Sequence, residues 1–196
     1  MKPHDLEFLS ITTFPAGQTL ARVQRIRTTR ETRPSLRISG FLLPPPGLLS
    51  GRFDLPDEAA CYLAEAPETA LYEALARREA RELSFATVAQ RTLLTVETRR
   101  PLSVADLRPH ARHYPVLQSL RFNETQELAL AIRAQGCDGI LYRSAQQAGA
   151  DCWVLWGDAI KTCRITRRQP LVDPDSGGLH RHLASALRGS RIPLCP

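Results

Sequence analysis

The stretch SGRFDLPDEAACYLAEAPETALYEAL, Ser50 to Leu75, places an arginine, a tyrosine and a glutamate close together in the chain. Each brings a chemistry that folding alone does not require. Arg52 offers a planar guanidinium fork matched to phosphate oxygens. Tyr62 offers a ring face for stacking or for shaping a pocket. Glu73 offers a carboxylate, the group that stabilises positive charge developing in a transition state. Each also has an ordinary reading: a surface arginine, a core strand tyrosine, and a solvated helix glutamate paired with Arg77 four residues on.

The elements that must position these residues are legible around them. FLLPPPGLLSG, residues 41–51, carries three prolines and two glycines and reads as an extended connector leading to Arg52. Residues 59–64, AACYLA, read as a short buried strand bearing Tyr62. Pro67 suits the first helical position, where a missing N–H leaves no acceptor unpaired. The helix is predicted from there to about Arg81 on Ala70, Leu71, Ala74 and Leu75. At about 100° per residue, Glu73 lies about 60° beyond Ala70, at the border of the apolar arc.

Farther out, TLARVQRI (19–26) alternates as a strand, and residues 27–37 are polar and loop-like. Residues 91–98, 102–107, 139–144 and 152–157 read as further strands, the last two joined by the polar turn AQQAGAD. Asn123 is predicted to cap a helix, with Gln126 as its reciprocal partner and Gly136 as its stop. The expected fold is α+β, a mostly antiparallel β core with flanking helices, over residues 1–168. Residues 169–196 read as a turn-rich linker and a basic tail with one short helix.

Composition narrows the function classes. The chain has 196 residues, 43% hydrophobic and 23% charged, which is one ordinary globular domain. No apolar run approaches the roughly 18 residues that span a bilayer. The start MKPHDLEFLSITTF lacks the basic end and apolar stretch of a signal peptide, so a cytoplasmic protein is expected. The five cysteines are odd in number and form no C-x-x-C, which favours reduced core thiols. The net charge of +6 is concentrated from Lys161 onward, where seven basic residues meet two acids. That tail has no aromatic residue, so it offers electrostatic attraction without base stacking, and direct nucleic-acid binding is not expected.

Several motifs are missing. There is no dinucleotide glycine fingerprint, no P-loop and no G-x-S-x-G elbow. His110 and His113 lack the further ligands of a zinc site, so no metal is expected.

In GRFDLPDEAACYLAEAPETALYEAL the arginine followed by an aromatic, the strand x-Y-L-A and the helix A-x-x-E resemble the RES domain, the toxin half of Xre–RES toxin–antitoxin pairs. LARVQR resembles that family's N-terminal strand, and CDGILYRSAQQAGADCWVLW resembles its late D-G-I-x-Y-x-S segment and closing strand. Together they cover roughly residues 18–160. The resemblance implies a fold like that of the ADP-ribosyltransferase toxins. It also implies NAD as substrate, cleaved between nicotinamide and ribose by hydrolysis or phosphorolysis, or used to pass ADP-ribose to a host protein. A cognate Xre-type antitoxin is the implied partner. Position by position, the family's essential residues fall on Arg22, Arg52, Tyr62, Glu73 and Ser144. LARVQR offers two arginines, so the first role stays open between Arg22 and Arg25.

The implied reaction needs little machinery. Nicotinamide leaves as a neutral molecule and requires no general acid. The barrier lies in positive charge developing on the ribose, as in glycoside hydrolysis, and a fixed carboxylate lowers it. On the implied assignment, Glu73 is that carboxylate, Arg22 and Arg52 grip the pyrophosphate, and Tyr62 stacks on the nicotinamide ring or shapes its pocket. Ser144 then bonds the ribose or orients Glu73. Its ordinary reading is a turn-forming serine. The rival function is a non-catalytic interaction module that works through the basic tail.

Overall fold

A computed structural model describes residues 9–26, 35–119 and 122–196 of the chain; the readings made for residues 1–8 and 27–34 lie outside them. The strands are β1 (Ser10–Phe14), β2 (Thr19–Arg25), β3 (Leu36–Ile38), β4 (Phe41–Leu43), β5 (Ala60–Ala64), β6 (Leu83–Ser84), β7 (Arg91–Thr98), β8 (Leu102–Asp106), β9 (Gly139–Arg143), β10 (Asp151–Trp156), β11 (Cys163–Pro170) and β12 (Leu194–Cys195). The α-helices are α1 (Pro67–Ala74), α2 (Phe85–Ala89), α3 (Phe122–Ala134), α4 (Gly157–Lys161) and α5 (Arg181–Ser190). The fold is α+β, as expected. Its main sheet has eight strands in the order β1-β8-β9-β10-β5-β2-β7-β11, and every neighbouring pair is antiparallel except β8 and β9.

Both faces of the central strands are covered, which explains why β5, β9 and β10 read as nearly continuous apolar runs. Along β10, Cys152, Val154 and Trp156 enter one core with Leu71 of α1, Leu128 of α3 and Leu183 of α5. The intervening Trp153 and Leu155 enter a second core on the other face, with Phe41, Leu43 and Ile160. The period of two along the strand divides the side chains between the cores. All five cysteines are free thiols, and four of them are buried.

The sheet opens where the site lies. β2 pairs with β7 over seven residues, yet with β5 at Ala21 and Ala64 alone. Beyond that point the two strands part, and side chains bridge the gap. Arg22 donates to the Tyr62 carbonyl at 2.7 Å, and Gln24 holds β4 through the Leu42 N–H and the Gly40 carbonyl.

Three local readings are corrected. The first helix stops at Ala74, not near Arg81, because Leu75 leaves helical geometry and Arg77 Nε caps the Glu73 carbonyl. Asn123 lies inside α3, which already includes Phe122, so Asn123 and Gln126 are not a capping pair. Part of the proline connector is the strand β4, in a hairpin with β3.

The expected boundary at Arg168 falls inside β11. The chain beyond it is packed: Leu171 is fully buried, Leu183 and Ala186 of α5 join the main core, and β12 pairs with β6. Leu183, Ala186 and Leu187 repeat at helical spacing, a narrow apolar stripe that the tail's many arginines obscured.

Candidate active site

The cleft between the diverging β2 and β5 holds a cavity of about 280 Å³. Arg22, Arg52, Tyr62 and Glu73 all line it, beside an apolar wall that includes Val23, Ala70, Phe122 and Tyr142. Arg25 is not among the lining residues, whereas Arg22 is.

The turn Gly51–Asp54 is tied down at every step. The Asp54 carboxylate accepts the Gly51 N–H at 2.7 Å and the Tyr62 hydroxyl at 2.8 Å. That hydroxyl in turn accepts the Phe53 N–H at 2.9 Å, and the Phe53 carbonyl accepts Trp156 Nε1. Gln126 spans the turn from α3, its Nε2 donating to the Leu49 and Gly51 carbonyls. Gly51 is required here: a Cβ at that position would stand 2.4 Å from the Tyr62 hydroxyl and 2.6 Å from Asp54 Oδ1. Burial pushes the Tyr62 phenol well above its ordinary pKa, and the neighbouring Asp54 charge pushes it further. It therefore stays a donor across the whole working range.

The product of this scaffolding is a buried, uncompensated cation. Arg52 is 8% exposed, and its Nε and Nη1 have no hydrogen-bond partner among the described residues. Its guanidinium carbon lies 5.5 Å from the Tyr142 ring centroid and 5.9 Å from that of Phe53, so two aromatic faces support it. A buried charged donor without a partner is expensive. An anion entering the cavity would satisfy it. Arg22 is bound differently: it donates to the Tyr62 and Leu42 carbonyls, and its buried Nε has no partner among the described residues.

Glu73 is held from the other side. The Ser144 hydroxyl accepts the N–H groups of Gln146 and Gln147 at 3.0 and 2.9 Å, which occupies both of its lone pairs. Its only proton goes to Glu73 Oε1 at 2.5 Å. The Glu73–Arg77 ion pair of the ordinary reading is absent among the described residues. Arg77 binds the main-chain carbonyl of Glu73 instead and leaves the carboxylate to Ser144. Burial and the Glu73 charge both push the neighbouring Cys152 thiol far up, so it is a protonated core group rather than a nucleophile.

The family model of the RES domain matches residues 20–174. The chain belongs to the RES domain family. A chain in the crystal structure of the M. tuberculosis MbcT–MbcA toxin–antitoxin complex is similar to it, with a TM-score of 0.55 and 18% identity over 80% of this chain and 85% of that one. No curated protein matches by sequence. At that identity the likeness is one of fold.

All five residues that the RES resemblance singles out thus lie at this cleft: four line it, and Ser144 binds one of the four. Two residues that shape it were missed. Asp54 closes the turn by reaching back three places to the Gly51 N–H, but its second partner, the Tyr62 hydroxyl, comes from β5. Gln126 reads as a capping partner only if α3 begins after Asn123, whereas α3 already includes Phe122 and leaves the Gln126 amide free for the turn.

The described residues contain no group of three or more histidine, cysteine, aspartate and glutamate side chains placed to hold a metal ion. No helix among them is long and apolar enough to cross a membrane.

Proposed function

We propose that this RES protein is the toxin of a toxin–antitoxin pair and cleaves NAD at the bond between nicotinamide and ribose. The observation that carries the proposal is the pairing in one cavity of a buried guanidinium with unpartnered nitrogens and a carboxylate fixed by Ser144. Arg52, with Arg22 beside it, takes the pyrophosphate. The Tyr62 ring and the apolar wall take the nicotinamide. Glu73 faces the anomeric carbon, where positive charge grows as neutral nicotinamide departs. The acceptor then adds at that carbon: water gives ADP-ribose, and phosphate gives its 1″-phosphate. Transfer to a host protein is the alternative outcome of the same cleavage and uses the same groups.

Purified, antitoxin-free protein incubated with NAD is expected to release nicotinamide. Chromatography of the remaining fragment identifies the acceptor: free ADP-ribose, its 1″-phosphate, or labelled added protein. No nicotinamide release with water, phosphate or protein acceptors supplied would overturn the proposal.

An Xre-type antitoxin is the proposed partner. Along the connector, Leu43 is buried in the core, whereas Leu48 and Leu49, just before the Arg52 turn, are exposed. Charged substitutions at Leu48 and Leu49 are expected to weaken the complex in a pull-down. An unaffected complex would place the contact elsewhere.

A further inference from the structure

The Arg52 turn contains two opposite charges that do not meet. Asp54 is 7% exposed and Arg52 8%, two residues apart, yet both Asp54 oxygens are taken by other donors while Arg52 keeps two unpartnered nitrogens. Left free, a buried carboxylate and a buried guanidinium in one turn would pair, since each otherwise bears its desolvation cost alone. The Gly51 N–H and the Tyr62 hydroxyl hold the Asp54 carboxylate, and it makes no ion pair with Arg52. The Tyr62 hydroxyl has no spare proton for a ligand, because its single hydrogen goes to Asp54 and the Phe53 N–H takes one of its lone pairs.

We infer that Asp54 and Tyr62 are positioning residues: Tyr62 restrains Asp54 so that Arg52 stays uncompensated and ready for an anionic ligand. Asp54 still lowers the cost of burying Arg52 through space, but an entering diphosphate has no ion pair to break. The arrangement trades stability of the free protein for affinity, which is what preorganisation requires. The inference rests on the diphosphate-binding reading of this cavity and adds a role for Tyr62 that is indirect.

The two possibilities for Tyr62 predict opposite epistasis. If its hydroxyl restrains Asp54, Tyr62→Phe frees the carboxylate to neutralise Arg52, and Asp54→Asn in the same chain removes that neutralising charge. If the hydroxyl contacts the ligand, the second change restores nothing. The probe is ADP-ribose, which carries the diphosphate without nicotinamide, titrated calorimetrically into the wild type, Tyr62→Phe, Asp54→Asn and the double variant. Each protein is first checked for a cooperative melt.

Tyr62→Phe is expected to weaken binding about tenfold, the usual scale of one hydrogen bond to a charged group, and the double variant to recover most of that loss. Asp54→Asn alone, whose single amide oxygen can accept the Tyr62 hydroxyl but not also the Gly51 N–H, is expected to stay within about threefold of the wild type, because no carboxylate remains to neutralise Arg52. It also keeps the test open if Tyr62→Phe fails to fold. A double variant as weak as Tyr62→Phe, or an Asp54→Asn variant weakened about tenfold or more, overturns the inference while leaving the binding site in place. No ADP-ribose binding by the wild type overturns the diphosphate reading and the inference with it.

Discussion

The Ser144 hydroxyl makes three hydrogen bonds, and its removal tests what holds the carboxylate. Ser144→Ala leaves the N–H groups of Gln146 and Gln147 unpaired and releases Glu73. An unpaired buried donor costs about 1–3 kcal/mol and these part-buried ones less, so a modestly lowered Tm is expected along with a fall in kcat. A variant with unchanged kcat would show that Glu73 needs no such anchor. Gly51→Ala is the sharper case, because its Cβ would overlap the Tyr62 hydroxyl and Asp54. A displacement of about 1 Å at a reacting site can cost 10²-fold, and turnover should fall on that scale while the fold persists. Full activity would mean that the turn does not position Arg52.

The chemistry-bearing residues were legible because arginine, tyrosine and glutamate stood out against an apolar background. Their supports were not. Asp54 depends on the Tyr62 hydroxyl that the fold brings to it, and no local pattern marks Gln126 as the partner of carbonyls more than 70 residues earlier in the chain.

The strands and α1 were readable from period and punctuation at the scale of elements, but the C-terminal segment was not. Its arginines dominate its composition, and the few residues that dock it, Leu171, Leu183 and Ala186, are too sparse to identify a packed helix by themselves. The structure gives that segment a supporting role. α5 lies against α1, the helix that carries Glu73, and His182 meets Glu68 at 2.5 Å between them. Leu183→Ala is expected to destabilise the protein by about 2–5 kcal/mol, read as a lower urea midpoint. Removing residues 169–196 should abolish cooperative melting. A truncated protein that melts like the full chain would show that the tail is dispensable for the fold. The short length of α1 has a similar lesson: hydrophobic spacing continued past Ala74, and only the Arg77 side chain and the loop bearing Gln146, which binds the Arg78 N–H, explain why the helix did not.

Across the whole molecule, charge pairs fasten the part of the sheet built from β8, β9 and β10. Asp138 receives a bidentate Arg100 and the Ser103 N–H, and Asp106 pairs with Arg108, which also reaches Asp151. Burial alone would raise both the Asp138 and Asp106 carboxyls, but the hydrogen bonds and charge of their arginines outweigh it and hold both below the usual value. A depressed folded pKa gives stability that is complete above the unfolded value of about 3.9 and is lost as pH falls through the folded one. Stability should therefore decline below about pH 4, and Asp138→Asn should flatten that decline. An unchanged acid profile in the variant would remove Asp138 from the account.

At the same scale, the cleft itself follows from a sheet that splits between β2 and β5, a feature no single strand announces. The claim on which all of this converges is that Glu73 stabilises the ribose cation. The direct measurement is nicotinamide release from NAD by antitoxin-free wild type and by Glu73→Gln, with melting temperatures matched. Turnover by the wild type that drops about 10²–10³-fold in the variant is the predicted result. Equal turnover in the two proteins, or none by a folded wild type, would contradict it.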